Sequence, residues 1–307
     1  MSEQPTEGTG YHGQPILKAP VWTWEIPTYF FFGGMAGGSV GLAYAAHLRG
    51  DALAARRAWL TALAGLSISP VLLISDLGRP ARFFNMLRMF KITSPMSVGT
   101  WVVSATASAT GLAALDALGV SPPGPISRTA VSRAAVVARP AAALGGLSLA
   151  TYTAALLVTT SVPVWHEARW TLPIVFASSA AVSAGGACAA ATPPAHAGPA
   201  RRLALIGAVA ELSATVVMHR RLGMHAETYR TGPPARWGRL SRAGIVAGAI
   251  LLARGGGRSR AAAAGAGALL CAGALATRLS VVAAGGQSAA DPRFVVEPQR
   301  ARLAARA

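Results

Sequence analysis

The sequence is poor in acidic residues, in lysine and in cysteine, and each shortage removes a class of protein. Eleven Asp and Glu stand against 28 Lys and Arg, and charged residues make up 13% of 307 positions. An ordinary soluble domain carries roughly 25%, so a soluble surface of this size is excluded. Lysine occurs only at Lys18 and Lys91, and arginine in the connecting segments carries nearly all of the net charge of +17. No basic domain stands apart from the apolar runs, which argues against nucleic acid as a partner. Arginines beside apolar runs instead meet anionic headgroups of membrane lipid and set topology. Cys188 and Cys271 both fall inside Ala/Gly-rich runs and no CxxC occurs. The chain therefore offers no ligand set for an iron–sulfur cluster or other metal of its own. Residues 1–20 lack an apolar h-region, so the first span is expected to act as its own insertion signal.

What is present is apolar length. Hydrophobic residues make up 52% of the chain, and runs near the roughly 20 residues needed to cross a bilayer as a helix recur along it. They predict an all-α integral membrane protein of about eight spans, at 26–47, 57–75, 97–119, 137–162, 171–192, 203–220, 240–254 and 261–284. Eight helices of this length are expected to pack as two four-helix bundles, 26–162 and 163–284, between a polar segment (1–25) and an extramembrane tail (285–307). An even number of spans places both ends on one side, here called side A. The connector 76–96, Trp165–Trp170 and Arg220–Arg242 share that side. Leu48–Arg57, the Pro/Ser-rich Val120–Arg139, Pro193–Arg202 and Arg254–Arg260 fall on side B. Both sides are arginine-rich, so charge does not orient the chain.

A few residues stand out against this background. The first span opens Trp22-Thr-Trp24-Glu25-Ile-Pro-Thr-Tyr29 and continues through Gly33, Gly34, Gly37 and Gly38. The tryptophans suit an interfacial belt, and glycines four apart give a smooth face for close helix contact. Glu25 and Tyr29 lie on one helix face. They read either as a first-turn carboxylate with an anchoring tyrosine, or as a pair able to hydrogen-bond a quinone carbonyl. Asp76 closes the second span and Arg79 follows three residues on, a spacing that allows an ion pair. Pro80 is expected to break that helix. The amphipathic stretch Arg82–Lys91 is expected in the interface with its aromatic and Met side inward.

Tyr152 sits about two turns from the side A end of the fourth span and needs a partner for its hydroxyl. His166 reads as a proton-exchanging group or a solvated loop histidine. Glu211, near the middle of the sixth span, is the costliest residue, at about 2.5–3.5 kcal/mol for a charge at that depth. It reads as functional, or as a protonated carboxyl bridging two helices. No two histidines share a buried depth: His47 ends the first span on side B, His219 ends the sixth on side A, and His12, His166, His196 and His225 fall in loops. A b-type haem is therefore not expected.

The phrases WEIPTYFFFGGMAGGS, DLGRPARFFNMLRMFKITSPMSVGTW and VPVWHEARWTLPIVFA, in this order, resemble the NrfD/PsrC-type membrane subunits of polysulfide-reductase-like oxidoreductases. The likeness covers most of residues 11–230, and in its Arg/Ala-rich style the chain resembles actinobacterial members associated with formate-dehydrogenase-like complexes. The resemblance implies a membrane anchor without haem, iron–sulfur cluster or metal. Such a subunit exchanges electrons between a docked four-cluster ferredoxin-like subunit, itself bound to a molybdopterin catalytic subunit, and a quinone such as menaquinone. It implies quinone contacts at Glu25, Tyr29 and Tyr152, although relatives have Asn or His in that part of the first span. It carries over Asp76 and Arg79 as a proton-handling and structural pair; beside it, Asp76, His166 and Glu211 are expected to assist proton transfer. Rival readings are a proton-translocating module centred on Glu211, a passive anchor, and a secondary transporter, for which Pro70 is a slight hint.

Overall fold

The computed structural model describes residues 16–18, 20–79, 81–120 and 127–304. Pro80, most of the polar N-terminal segment including His12, and the Pro-rich centre of the 120–139 linker lie outside the described residues. Among those described there is no strand. Eight helices of 20 residues or more form the body: α1 (Glu25–Leu48), α2 (Ala52–Asp76), α4 (Pro95–Leu118), α5 (Arg128–Val158), α7 (Leu172–Ala191), α8 (Gly198–Arg221), α9 (Gly232–Gly255) and α10 (Arg260–Ala290). Between and after them come the short α3 (Arg82–Arg88) and α6 (Pro163–Glu167), a 3-10 helix (Gly223–Tyr229) and α11 (Arg293–Ala304). Six of the eight, all but α1 and α9, are long and apolar enough to cross a membrane. The protein is a multi-pass membrane protein.

The helices occur where the apolar runs lie, and all but α7 are longer. α5 starts at Arg128 rather than near 137 because Ser127 caps it, accepting from the Ala130 N–H at 3.2 Å, and Pro140 is tolerated inside it. α9 starts at Gly232, eight residues ahead of its apolar run, with prolines in its first turn where their missing N–H costs nothing. α10 runs on to Ala290, and the expected tail folds into α11, which lays Phe294 against His225. His225 is buried there, its Nε2 3.1 Å from the Phe294 carbonyl.

Small residues set how the helices approach. Gly37 turns toward α5, meeting Gly146, and Gly33 lies between Ser69 of α2 and Leu149 of α5, while Gly34 and Gly38 turn toward α7, meeting Ala180 and Ala184. A Cβ on Gly37 would overlap the backbone of Gly146, so the two helices touch main chain to main chain. α1 packs on α2, α5 and α7; α4 packs on α2 and α5; α10 packs on α9 and α7; and α8 packs on α7 and, less closely, α9. α1 makes the largest part of the contact between the first four long helices and the last four, and α5 and α2 add to it against α7.

The two ends of the bundle have different chemistry. On side B, Asp51 caps α2 and meets His196 Nδ1 at 3.0 Å, while Arg139 forms an ion pair with Asp116 and lies 3.1 Å from His47 Nε2. On side A, Trp22 stacks on Trp165 with ring centroids 5.3 Å apart, and Arg302 of α11 approaches Glu167 at 3.7 Å. The beginning and end of the described chain therefore meet on one face, as helix counting expects.

Candidate functional site

The side A end of α1 is held by aromatic packing. Phe30 meets Trp22 edge-on at 6.3 Å and Phe176 of α7 at 6.2 Å, which fixes the rotation of α1 and turns Tyr29, 2% exposed, into the protein. Glu25 opens the helix, half-buried, and accepts from the Thr23 hydroxyl. Leu72 and Leu73 of α2 pack on the same cluster, which brings Asp76, one turn on, to the same end. There the carboxyl groups of Glu25 and Asp76 are close enough for their charges to repel. A proton or hydrogen-bond donor placed between them relieves that repulsion.

Tyr152 of α5 reaches this region from the opposite wall. Its hydroxyl donates to the Pro95 carbonyl at the start of α4, at 2.8 Å, and its ring lies against Gly99, where any Cβ would overlap it. Tyr152 is also within electrostatic range of Tyr29. Two phenols and two carboxyl groups thus gather from α1, α2 and α5 at one end of the first four helices. Phenols donate to a carbonyl oxygen, and carboxyl groups accept or deliver protons.

A second polar centre lies among the last four helices. Glu211 is 1% exposed; Thr277 of α10 donates to its Oε1 at 2.6 Å, and Ser241 of α9 is 2.7 Å from Thr277. Its Oε2 is enclosed with no partner among the described residues. Glu211 lies on the wall of a cavity of about 330 Å³ that also touches His219, Tyr229, Arg239 and Arg242. Behind it sits Arg278 of α10, also 1% exposed, donating from Nη2 to the Phe176 carbonyl at 2.9 Å and lying 3.6 Å over the Phe176 ring. The Arg278 charge acts on Glu211 without touching it.

A family model described as Polysulphide reductase, NrfD, matches residues 12–225, about two thirds of the chain. The chain belongs to the NrfD family. Membership makes it a membrane subunit of a polysulfide-reductase-like oxidoreductase, the type with which iron–sulfur and molybdopterin subunits work. No curated protein matches the chain.

Within this NrfD subunit the structure gathers Glu25, Tyr29, Asp76 and Tyr152 and leaves the other expected site residues apart. Arg79 forms no ion pair with Asp76 among the described residues. The chain leaves the helix at Leu77 and turns through Gly78 at φ +66°, so helical three-residue spacing no longer applies and Arg79 is exposed. His166 is exposed on α6, in a separate groove of about 510 Å³ that it shares with His225, Phe294 and Arg302. Glu211 belongs to the second centre.

The connector also departs from expectation. Phe84, Met89, Phe90 and Ile92 are 61–79% exposed, and only Phe83, Met86 and Leu87 turn partly inward. α3 spans two turns, too few to align a full apolar face against α4, so most of that face is left to the bilayer interface. Sequence reasoning missed Arg278. It is a charge inside the apolar run 261–284, and the cost that singles out Glu211 applies to it equally.

Proposed function

We propose that this chain is the quinone-reactive membrane subunit of its oxidoreductase. In this reading electrons pass between a four-cluster ferredoxin-like iron–sulfur subunit docked on side A and menaquinone or a related quinone, with a molybdopterin subunit completing the complex. The observation that carries the reading is the convergence of Glu25, Tyr29, Asp76 and Tyr152 at the side A end of the first four helices. Tyr29 offers a phenolic donor to a quinone oxygen. Tyr152 holds the entrance of α4 in place through the Pro95 carbonyl, 2.8 Å away, and lines the site with its ring. Asp76 and Glu25, between α2 and α1, take up protons when quinol is oxidised or supply them when quinone is reduced. The connector after Asp76 forms the outer wall, with its basic residues turned to the partner subunit.

The test is turnover with a quinone analogue in the assembled complex carrying Asp76→Asn or Glu25→Gln. Loss of a positioned proton-transfer group lowers turnover about a hundredfold, while the partner subunits still co-purify. Wild-type turnover in both variants refutes the reading, and loss of co-purification refutes the separation of docking from chemistry.

A further inference from the structure

Five side chains able to donate hydrogen bonds, Arg230, Arg239, Arg242, His219 and Tyr229, line the side A mouth of the second cavity, between α8, α9 and the 3-10 helix. Arg230 and Arg242 both act electrostatically on His219, and the Tyr229 ring lies 4.7 Å from the His219 ring, so these groups form one cluster. The Tyr229 hydroxyl and His219 Nε2 are enclosed and have no hydrogen-bond partner among the described residues. None of the three arginines forms an ion pair there either. The acids that could serve are engaged elsewhere: Glu227 holds Arg293 at 2.9 Å, and Glu211 takes the Thr277 hydroxyl. Glu211 is also eight residues from His219 along α8, about 12 Å by helix rise, at the far end of the cavity.

Enclosed polar groups without partners cost free energy, and the three guanidinium groups are exposed around them at the mouth, open to an anion from outside. Val175, Leu212, Met218 and Val281 give the cavity an apolar wall, and beyond it Thr215, Ser241, Thr277 and Ser280 line the interior with hydroxyls around Glu211. We propose that this mouth binds a phosphate group, held by Arg239 and Arg242 with Tyr229 and His219, and that an anionic phospholipid headgroup supplies it, its glycerol and first methylenes lying on the apolar wall. Basic pockets between membrane helices take anionic headgroups in this way, and guanidinium–phosphate pairs supply directional, charge-assisted bonds. A cavity of about 330 Å³ holds a headgroup, with the acyl chains left in the bilayer. The site is separate from the quinone reading and does not depend on it.

The experiment uses the full chain, delipidated in detergent and titrated with phosphatidylglycerol, with phosphatidylcholine of the same acyl chains, or with inorganic phosphate, bound ligand being read by native mass spectrometry. Phosphatidylglycerol is expected to be retained saturably and phosphatidylcholine not. R239Q/R242Q lowers retention about tenfold or more, the loss of about 1.4 kcal/mol or more of binding, whereas R220Q/R221Q, at the end of α8 outside the cavity, leaves it unchanged. If R239Q/R242Q does not fold, R239K/R242K is used, which keeps the charge and loses the bidentate geometry, and an intermediate loss is expected. Saturable binding of inorganic phosphate with the same arginine dependence, and displacement of the lipid by it, overturns the lipid source in favour of free phosphate. Equal retention of both lipids, or wild-type retention in the arginine variants, overturns the site.

Discussion

Thr277 on α10 gives its hydroxyl to Oε1 of Glu211 on α8 at 2.6 Å, and it is the carboxyl's one hydrogen-bond partner among the described residues. The bond joins two helices across the second polar centre, and Ser241 extends it to α9 through a 2.7 Å contact with Thr277. Thr277→Val keeps the shape and removes the donor. Both oxygens of a buried carboxyl are then unpaired, a loss of about 1–3 kcal/mol, read as a lower apparent melting temperature in detergent. An unchanged melting temperature in Thr277→Val shows that the bond does not hold α8 to α10.

The glycines of α1 separate close packing from simple flexibility. Gly37 faces the backbone of Gly146, whereas Gly41, one turn further on, has nothing within 4 Å of where a Cβ would stand. Gly37→Ala therefore forces α1 and α5 apart and destabilises the protein by about 1–3 kcal/mol. Gly41→Ala is neutral, or stabilising by up to about 1 kcal/mol through helix propensity. Melting curves of the two variants in one detergent make the comparison, and equal shifts show that propensity rather than packing governs this helix.

Much of this was legible in the sequence because membrane spans obey a simple length rule. The apolar runs locate every long helix, and parity of crossing puts Glu25, Asp76 and Tyr152 on one face. The glycine spacing in α1 was likewise readable as a packing face. What could not be read was rotation and local breakage. Nothing in DLGRP shows that Gly78 takes a left-handed turn and carries Arg79 away from Asp76. Nor does the spacing of α8 and α10 show that Glu211 meets Thr277, because that depends on the rotation of two helices 66 residues apart in the chain. Arg278 was visible but hidden by its small-residue neighbours.

Asp51 gives the fold a pH-sensitive contact on side B. Its carboxylate accepts from the Ala54 N–H at 3.0 Å and meets His196 Nδ1 at 3.0 Å, and these contacts, the backbone bond first, hold it below the ordinary carboxylate range. Because the folded value is depressed, the stabilisation is complete above the unfolded value of roughly 3.9. It is lost as pH falls through the lower folded value. Asp51→Ala removes the helix cap at a cost of about 1 kcal/mol at neutral pH, and the difference from wild type shrinks as pH drops below 4. Melting temperatures of both proteins across pH 3 to 7 measure it, and a gap that stays constant across that range excludes the Asp51 carboxylate as its source.

Arg278 and Glu211 are a buried base and a buried acid within electrostatic range that make no direct contact, and a double-mutant cycle measures what their proximity is worth. Arg278→Met removes the bond to the Phe176 carbonyl and the stacking on its ring, a loss of about 2 kcal/mol or more. It also leaves Glu211 without its nearby positive charge. Glu211→Gln removes the carboxylate and leaves the guanidinium, with its Nη1 already unpartnered, uncompensated. Each single variant strands a charge and the double variant strands neither, so its destabilisation falls short of the sum of the two by roughly 0.5–3 kcal/mol. Additive losses show that the two residues are independent. Because Arg278 also lies 3.3 Å from where a Gly34 Cβ would stand on α1, a coupling of this size links the second polar centre to the helix that carries Glu25 and Tyr29. Quinone-linked turnover measured in the same three variants then separates stability from communication between the centres. If turnover follows the fraction folded, the link is structural alone; if Arg278→Met lowers turnover of folded protein, the guanidinium conveys the state of one centre to the other.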